Sequence, residues 1–323
     1  MRRIGLLIVL AVAVGLIAGA ITFSRDWSGE GPLAEPAVIS VPEGASLRGT
    51  AKLLAEAHAI RSADAFLLGA KLFGSKGIIK AGKYRVPAHA SAAQILYILQ
   101  GGKTVPLLVT IPEGMPSIMV QERLMANRDL TGPVDVPEEG SVLPDSYGYE
   151  KGETRAVVLA RMQGAMKDFM AKNWDDRDPA IPTRTPEQAL TLASIVEKET
   201  SLASERPTVA GVYGNRLRQG MALQADPTII YPITRGKPLG RRILLSEKRA
   251  HNDYNTYAMV GLPKGPIANP GRASILAVLH PSETKALYFV ANGKGGHIFA
   301  DTLAEQDANV KKWYAIRHAR GEM

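Results

Sequence analysis

The sequence between residues 185 and 202 predicts a helix that carries a carboxyl group on its apolar face. The segment Thr185–Gln188 has the form of a capping box with proline at the first helical position, and the helix should continue from Ala189 to Leu202. Four side chains occupy the i, i+3, i+4 and i+7 positions of one face: Leu192, Ile195, Val196 and Glu199. Glu199 is therefore predicted to face the protein interior.

This position makes Glu199 a candidate general acid. A carboxyl group in apolar surroundings is hard to ionise, so its pKa rises and it can hold a proton at neutral pH. Glu197 is rotated by about 200° from Glu199 around the helix axis and is expected to point away, toward solvent or the neighbours of Lys198. The same spacing also fits a buried glutamate that only pairs with Arg216 or Arg218.

A second group of polar residues suggests a binding surface for a sugar polymer. Gln224 and Asp226 alternate along a segment that we expect to be extended, which places them on one side of it. Tyr254, Asn255 and Tyr257 follow in a region rich in proline and glycine. Such residues suit a groove that stacks on sugar rings and hydrogen-bonds their hydroxyls, although each of them is also typical of turns.

Two other chemistries have weaker signals. Ser282 and Lys285 have the Ser-x-x-Lys spacing of penicillin-interacting enzymes, but they lie in a predicted turn and the sequence contains no Lys-Thr-Gly. His251, His280 and His297 are scattered, without the His-Glu-x-x-His spacing of a metal-dependent hydrolase. We therefore expect no metal and no cofactor.

The N-terminus predicts a helix that crosses a membrane. No charged residue occurs from Ile4 to Phe23, and twenty helical residues span about 30 Å, the thickness of the hydrocarbon core of a bilayer. Arg2 and Arg3 precede this run. Residues 1–25 are therefore expected to comprise a cytoplasmic N-terminus and a membrane-spanning helix, with the remainder of the chain on the other side of the membrane. A cleaved signal peptide with Ala18–Ala20 as its cleavage site is the alternative, but the apolar run continues to Phe23.

Residues 26–37 are predicted to be a linker, and residues 38–105 a small module with the order strand, helix, helix, strand. We expect a strand at Val38–Val41, a helix capped by Ser46, a helix starting near Ser62, a strand at Gly82–Val86 and a further helix from Ser91. The helix near Ser62 should bury Ala65, Phe66, Leu68, Leu72 and Phe73. The order resembles a LysM-type glycan-binding module. Residues 106–323 should form a mixed α+β catalytic domain with a glycan cleft, which makes the whole chain α+β.

Composition limits the remaining function classes. The chain has 323 residues, of which 46% are hydrophobic and 22% charged, so it is too apolar to be disordered. It contains no cysteine, which excludes disulfides and thiol nucleophiles. A net charge of +8 with 6% aromatic residues is a modest basic excess with little stacking surface, so no nucleic acid partner is expected.

Taken together, the motifs resemble the endolytic murein transglycosylase (MltG/YceG-like) family. The segments that carry the resemblance occur in family order: Ala193–Thr200, Asn215–Met221, Leu223–Thr228, Tyr254–Tyr257, Gly261–Pro263 and Tyr288–His297. The resemblance implies an enzyme of the bacterial inner membrane that cuts peptidoglycan strands internally, with the catalytic glutamate in the motif Glu197-Lys198-Glu199-Thr200. We carry that role to Glu199, because the helical phase agrees and other lytic transglycosylases place a hydroxyl residue directly after their glutamate.

The resemblance also implies a reaction and its partners. Glu199 would protonate the glycosidic oxygen between N-acetylmuramic acid and N-acetylglucosamine, and a 1,6-anhydro ring would close on the muramic acid. Gln224, Asp226, Tyr254, Asn255 and Tyr257 would bind the sugars. The expected partners are peptidoglycan glycan strands, penicillin-binding synthases and the membrane. The alternative is a membrane-anchored scaffold that binds glycan without cutting it and recruits cell-wall synthases.

Overall fold

The computed structural model describes residues 2–74, 77–102, 105 and 107–321. The chain divides into two compact units, Met1–Pro106 and Leu107–Met323. Helices and short antiparallel strand pairs are mixed in both units, in agreement with the predicted α+β class. Each unit has buried apolar clusters of its own.

The first unit contains the predicted order of strand, helix, helix, strand. Its elements are α1 (Arg2–Trp27), β1 (Ala37–Val41), α2 (Leu47–Glu56), α3 (Ala63–Phe73), β2 (Gly82–Val86) and α4 (Ala92–Gln100). Strands β1 and β2 are antiparallel, with buried Ile39 opposite buried Tyr84. The hydroxyls of Ser46, Ser62 and Ser91 cap α2, α3 and α4 by accepting the N–H three residues on, as the sequence predicts.

Helix α1 continues two residues beyond its predicted end at residue 25. Its segment Leu10–Trp27 is long and apolar enough to cross a membrane, judged by length and composition. The last turn packs on α3, because the ring of Trp27 lies where a Cβ on Gly69 would be, only 2.1 Å away. The segment 28–36, predicted as linker, is held by a backbone hydrogen bond of 3.0 Å from Gly31 to His89.

Helix α3 exposes much of the face that the sequence predicts to be buried. Phe66 is completely buried, but Leu68, Leu72 and Phe73 are 47%, 60% and 65% exposed, so that part of the prediction is wrong. The physical reason is that α3 is apolar on nearly every side. Apolar spacing therefore could not tell which side packs against α1, α2 and α4.

The second unit is built mainly of helices around α7. Its elements are β3 (Leu107–Thr110), α5 (Ser117–Ala126), β4 (Ser146–Tyr149), α6 (Arg155–Trp174), α7 (Pro186–Glu199), α8 (Arg206–Arg218), α9 (Asp226–Thr234), α10 (Leu245–Arg249), α11 (Arg272–Leu279), β5 (Tyr288–Ala291), β6 (His297–Ala300) and α12 (Leu303–Ala319). β3 pairs with β4 and β5 with β6. Helix α7 packs against α8 and α11, which also pack against each other. This arrangement places the predicted catalytic helix at the centre of the unit.

Local sequence explains where α7 begins and ends. The hydroxyl of Thr185 accepts the N–H of Gln188 at 3.3 Å, which caps the helix as predicted, and Pro186 occupies the first helical position. The helix stops at Glu199, three residues before the predicted end at Leu202, because the backbone turns to an extended conformation at Thr200. The residues that α7 buries form a nearly continuous run: Ala189, Thr191, Leu192, Ala193, Ser194, Ile195 and Val196.

Candidate active site

Glu199 is the last residue of α7, and the end of its side chain is buried. Its Oε1 atom is inaccessible to solvent and has no hydrogen-bond partner among the described residues. Burial raises the pKa of Glu199 to about 7; a hydrogen bond with the Tyr213 hydroxyl opposes this rise, the negative charge of Asp226 adds to it, and the positive charge of Arg216 opposes it. The pKa of Glu199 is therefore raised, as the helical phase predicts.

Glu199 is not the partner of a nearby arginine. Arg216 is buried, and its guanidinium donates to the backbone carbonyls of Leu287 at 2.6 Å and Leu223 at 2.9 Å. Arg218 donates to the side chain of Asn215 at 2.7 Å. Neither arginine forms a salt bridge with Glu199 in the part of the chain that the structure describes. The ion-pair alternative left open by the spacing is therefore not what the structure shows.

Glu197 occupies a different environment from the one predicted. Its side chain is 5% exposed, and its Oε1 atom lies 3.0 Å from Nη2 of Arg206. Its Oε2 atom accepts the backbone N–H of Gly271 at 2.9 Å, at the start of α11. The expectation that Glu197 points toward solvent is wrong, because Arg206 of α8 and the backbone N–H of Gly271 at the start of α11 cover its carboxyl group. Glu197 is a structural carboxylate that joins three helices.

A turn from the start of the second unit completes this junction. Nη2 of Arg206 also donates to Glu113 Oε2 at 3.2 Å, and Nζ of Lys198 donates to the carbonyl of Gly114 at 3.4 Å. Gly271 lets the Glu113 carboxyl approach, because a Cβ at this position would lie 2.1 Å from Glu113 Oε1. The turn Pro112–Gly114 therefore docks on the end of α7 that carries the candidate acid.

Asp226 and Tyr257 are brought together beside Glu199. The Tyr257 hydroxyl donates to Oδ1 of Asp226 at 2.7 Å, and the Nζ atom of Lys248 lies 3.6 Å from the same oxygen and 4.8 Å from the centre of the Tyr257 ring. Burial raises the pKa of Tyr257, and the charges of Asp226 and Glu199 add to this rise. The Asp226 side chain is half exposed to solvent.

The other sequence-predicted binding residues have more varied positions. Gln224 is exposed, but its backbone is left-handed, with φ of 52°, and its N–H donates to the Thr256 carbonyl at 3.0 Å. The segment is therefore not the extended strand that we expected, and α9 begins at Asp226. Tyr254 packs against the ring of Tyr231, with 4.8 Å between ring centres.

Asn255 is completely buried, which does not fit direct contact with a sugar. Its side-chain amide donates to the carbonyls of Glu247, Lys248 and Ala250 at 3.2, 3.0 and 2.7 Å. Its Oδ1 atom accepts the N–H of Tyr257 at 3.0 Å. Asn255 thus fixes the segment that carries Lys248 and positions Tyr257.

Sequence reasoning missed a polar connection that holds the residue after Glu199. The Thr200 hydroxyl donates to Oε2 of Glu205 at 3.1 Å, and Nδ1 of His297 lies 2.8 Å from the same oxygen. Burial raises the pKa of Glu205, but its hydrogen bonds with His297 and Thr200 outweigh this effect, and the pKa lies below its ordinary value. His297 follows the glycines of a hairpin, and nothing in the sequence indicates that its side chain would bind Glu205, the residue that also holds Thr200 at the end of α7.

Tyr213 was also missed. It lies on α8, three residues before Arg216, and its ring packs edge-on against Phe289 with 5.8 Å between centres. A buried aromatic residue on a helix is ordinarily part of the core, so the sequence did not distinguish it. Only the packing of α8 against α7 brings its hydroxyl to Glu199.

The two competing chemistries gain no support from the geometry. Ser282 and Lys285 lie in the irregular segment between α11 and β5, as predicted. His280 faces Asp176 at 4.0 Å, and His297 is engaged by Glu205. Over the described ranges, His, Asp and Glu side chains form no group of three or more that could hold a metal ion.

Comparison with known proteins agrees with the resemblance drawn from the motifs. The sequence matches the YceG-like family over residues 39–312. It is 26% identical over 314 residues to the endolytic murein transglycosylase of Bacillus subtilis (strain 168), an alignment that covers 87% of this chain and 86% of that protein. It is 28% identical over 323 residues to the endolytic murein transglycosylase of Streptococcus pneumoniae (strain D39), covering 84% of this chain but 57% of that longer protein.

A solved structure is also similar. The crystal structure of a YceG-like protein of Listeria monocytogenes is 26% identical, has a TM-score of 0.53, and is matched over 85% of this chain and 98% of that one. The family match extends from β1 into α12 and includes the whole of α7. On these grounds, the chain belongs to the YceG-like family.

Proposed function

We propose that this protein is an endolytic peptidoglycan lytic transglycosylase that cleaves the bond between N-acetylmuramic acid and N-acetylglucosamine within glycan strands. The observation that carries the proposal is the buried carboxyl group of Glu199, whose pKa of about 7 lets it hold a proton at neutral pH. The relatives named endolytic murein transglycosylase support the choice of substrate.

The first step is proton donation by Glu199. The protonated carboxyl transfers its proton to the glycosidic oxygen while the bond from that oxygen to C1 of the muramic acid breaks, through an oxocarbenium-like state. The half-exposed carboxylate of Asp226, close enough to raise the pKa of Glu199, places a negative charge near the developing positive charge.

In the second step the same carboxylate, now ionised, accepts the proton of the muramic acid C6 hydroxyl. The C6 oxygen attacks C1 and closes the 1,6-anhydro ring, so Glu199 is protonated again and no water is consumed. An intramolecular nucleophile has a very high effective concentration, so a second catalytic carboxylate is not required. The Glu197 carboxylate, engaged by Arg206 and Gly271, has no part in the chemistry.

The remaining residues bind and position. In this proposal Gln224, Asp226 and Tyr257 contact the sugars in a cleft beside Glu199, and Tyr254 borders it. Asn255 acts through Tyr257, whose N–H it holds. Tyr213 holds the carboxyl group of Glu199 through its hydroxyl.

The mass of the digestion products tests the proposal. Wild-type protein should release glycan ends that lack one water relative to reducing ends, and Glu199→Gln should release none while remaining folded. Glu187→Gln is a matched control, because Glu187 is exposed in the first turn of the same helix. Products with reducing ends would indicate hydrolysis. If Glu199→Gln fully replaces the wild-type protein in cell-wall assembly, the non-catalytic scaffold is favoured instead.

The localisation proposal rests on α1. Helix α1 crosses the inner membrane once, with Arg2 and Arg3 in the cytoplasm and the residues after Trp27 on the other side of the membrane. The helix is unbroken through Ala18–Ala20, and Trp27 in its last turn is buried in the first unit, which supports an anchor over a cleaved signal. Equal gel mobility of the membrane-bound protein and the full-length standard would support the anchor, whereas the mobility of a form lacking the first 25 residues would indicate cleavage.

Residues 38–105 of the first unit are the proposed glycan-binding, LysM-like module, with residues 26–37 as the linker that leads into it and residues 106–323 as the catalytic domain. A cavity of about 550 Å³ in this unit is lined by polar and aromatic side chains that include His89, Gln94 and exposed Tyr97. Tyr97→Ala in the full chain should weaken binding to isolated glycan strands, and unchanged binding would contradict a role for this cavity. Penicillin-binding synthases remain proposed partners, to be tested by cross-linking in cells.

A further inference from the structure

The outward side of α3 carries apolar side chains that the first unit does not cover. We define the α3 outer patch as Leu68, Leu72 and Phe73 of α3 together with Ile78 in the segment after the helix; these side chains are 47%, 60%, 65% and 84% exposed. Leu68 and Leu72 lie on the side of the helix away from Phe66, which is packed in the core, and Phe73 lies at the exposed C-terminal end of the side that carries Phe66. A helix that is apolar on both sides is normally covered on both, and clustered exposed apolar residues mark an interaction surface.

The patch is continuous with the apolar surface of α1. The ring of Phe73 lies 6.4 Å from that of Phe23 and 6.1 Å from that of Trp27, both in the last two turns of α1. The neighbouring turns of α1 expose Ile17 and Ile21. The outer patch therefore begins where the exposed apolar surface of α1 ends.

The position of Phe23 fixes the depth of the patch relative to a bilayer. The uncharged run Ile4–Phe23 is about 30 Å long, which matches the hydrocarbon core and puts Phe23 at its outer boundary. Phe73 contacts Phe23 and lies at the same level. Exposed Arg25, Lys71 and Lys80 are close in sequence to these residues, as expected where basic side chains meet anionic headgroups.

We propose that the α3 outer patch inserts into the boundary between headgroups and acyl chains of the outer leaflet. The first unit is then held at the membrane by two contacts, α1 passing through the bilayer and α3 lying on it. The basic residues favour a bilayer with anionic headgroups. This inference rests on the proposed membrane anchoring by α1, and it is independent of the reaction assigned to Glu199.

The absence of cysteine from the sequence allows a direct test. Single variants Leu72→Cys and Ile78→Cys of the full-length chain are labelled with the fluorophore NBD and placed in vesicles of phosphatidylethanolamine and phosphatidylglycerol. We expect blue-shifted emission, iodide quenching at least twofold weaker than at the control, and strong quenching by lipids with a doxyl group at carbon 5. Lys52→Cys is the control, because its side chain is 79% exposed on α2.

Leu16→Cys, in the middle of α1, separates the possible failures. If this label is quenched by doxyl lipid while labels at 72 and 78 are as accessible to iodide as the one at 52, the helix spans the membrane and the patch proposal is overturned. Protection from iodide without doxyl quenching would also overturn it, because a protein would then cover the patch. If the label at 16 is itself accessible to iodide, the anchor fails and this inference fails with it. Release of anhydro products by each labelled variant reports separately on the proposed reaction.

Discussion

Nη2 of Arg206 lies 3.0 Å from Oε1 of Glu197. Glu197 precedes Glu199 by only two residues in helix α7. One carboxyl group at the end of α7 is thus ion-paired and bonded to the Gly271 N–H, whereas the other has a buried oxygen without a partner in the described chain. Two neighbouring carboxyl groups in contrasting surroundings can take different roles. The contrast favours a structural role for Glu197 and supports the proposal that Glu199 is the acid.

Glu197→Ala should reduce the stability of the second unit. Removing one partner of a buried ion pair typically costs about 3–5 kcal/mol, and we expect the lower end because Arg206 keeps its contact with Glu113. Urea unfolding of the detergent-solubilised chain measures the change. The comparison is Glu199→Gln, for which we expect an unfolding free energy equal to or above that of wild type at neutral pH. A loss below about 0.5 kcal/mol for Glu197→Ala would contradict the structural role.

Activity should depend on the protonation of Glu199. With a pKa of about 7, the carboxyl group is largely protonated below that pH and loses its proton above it. Since the acid form donates the proton in the first step, kcat/KM should fall about tenfold per pH unit above roughly pH 7. Release of anhydro products measured from pH 5 to 9 checks this limb. A rate that continues to rise through pH 8 would exclude Glu199 as the acid.

Tyr213→Phe should move the alkaline limb upward. The Tyr213 hydroxyl bonds to the Glu199 carboxyl and lowers its pKa, so removal of the hydroxyl should raise the pKa further and extend activity to higher pH. The same pH series measures the midpoint, with the folded state checked by circular dichroism. Tyr257→Phe is the matched comparison, because its hydroxyl bonds to Asp226 instead. A downward shift for Tyr213→Phe would mean that the hydroxyl does not stabilise the ionised form.

His297→Gln should lower kcat with little change in KM. His297 and Thr200 share Oε2 of Glu205, so loss of the imidazole loosens the residue that follows Glu199. We expect a decrease of roughly tenfold, about 1.4 kcal/mol of transition-state stabilisation. His280→Gln is the control, because His280 is partly exposed and faces Asp176 only at 4.0 Å. A change confined to KM would instead place His297 among the sugar contacts.

The sequence alone determined the features that depend on short-range order. Residues three positions apart determine the helix caps at Ser46, Ser62, Ser91 and Thr185. Residues three or four positions apart determine the helical phase that turns Glu199 toward the interior. The apolar N-terminal run likewise needs only length and composition. These predictions agree with the structure because local backbone geometry leaves few alternatives.

Tertiary structure decided the features that depend on which elements meet. Helical phase predicted that Glu197 points away from Glu199, toward solvent or the neighbours of Lys198, but only the tertiary structure shows that Arg206 and the Gly271 N–H bind its carboxyl group. Composition made Asn255 a candidate for sugar contact, whereas its amide turns inward onto the carbonyls of Glu247, Lys248 and Ala250, five to eight residues earlier, in a turn that no helical or strand spacing specifies. A sequence gives each residue's chemistry and its local direction, but burial and pairing arise from contacts between residues distant along the chain.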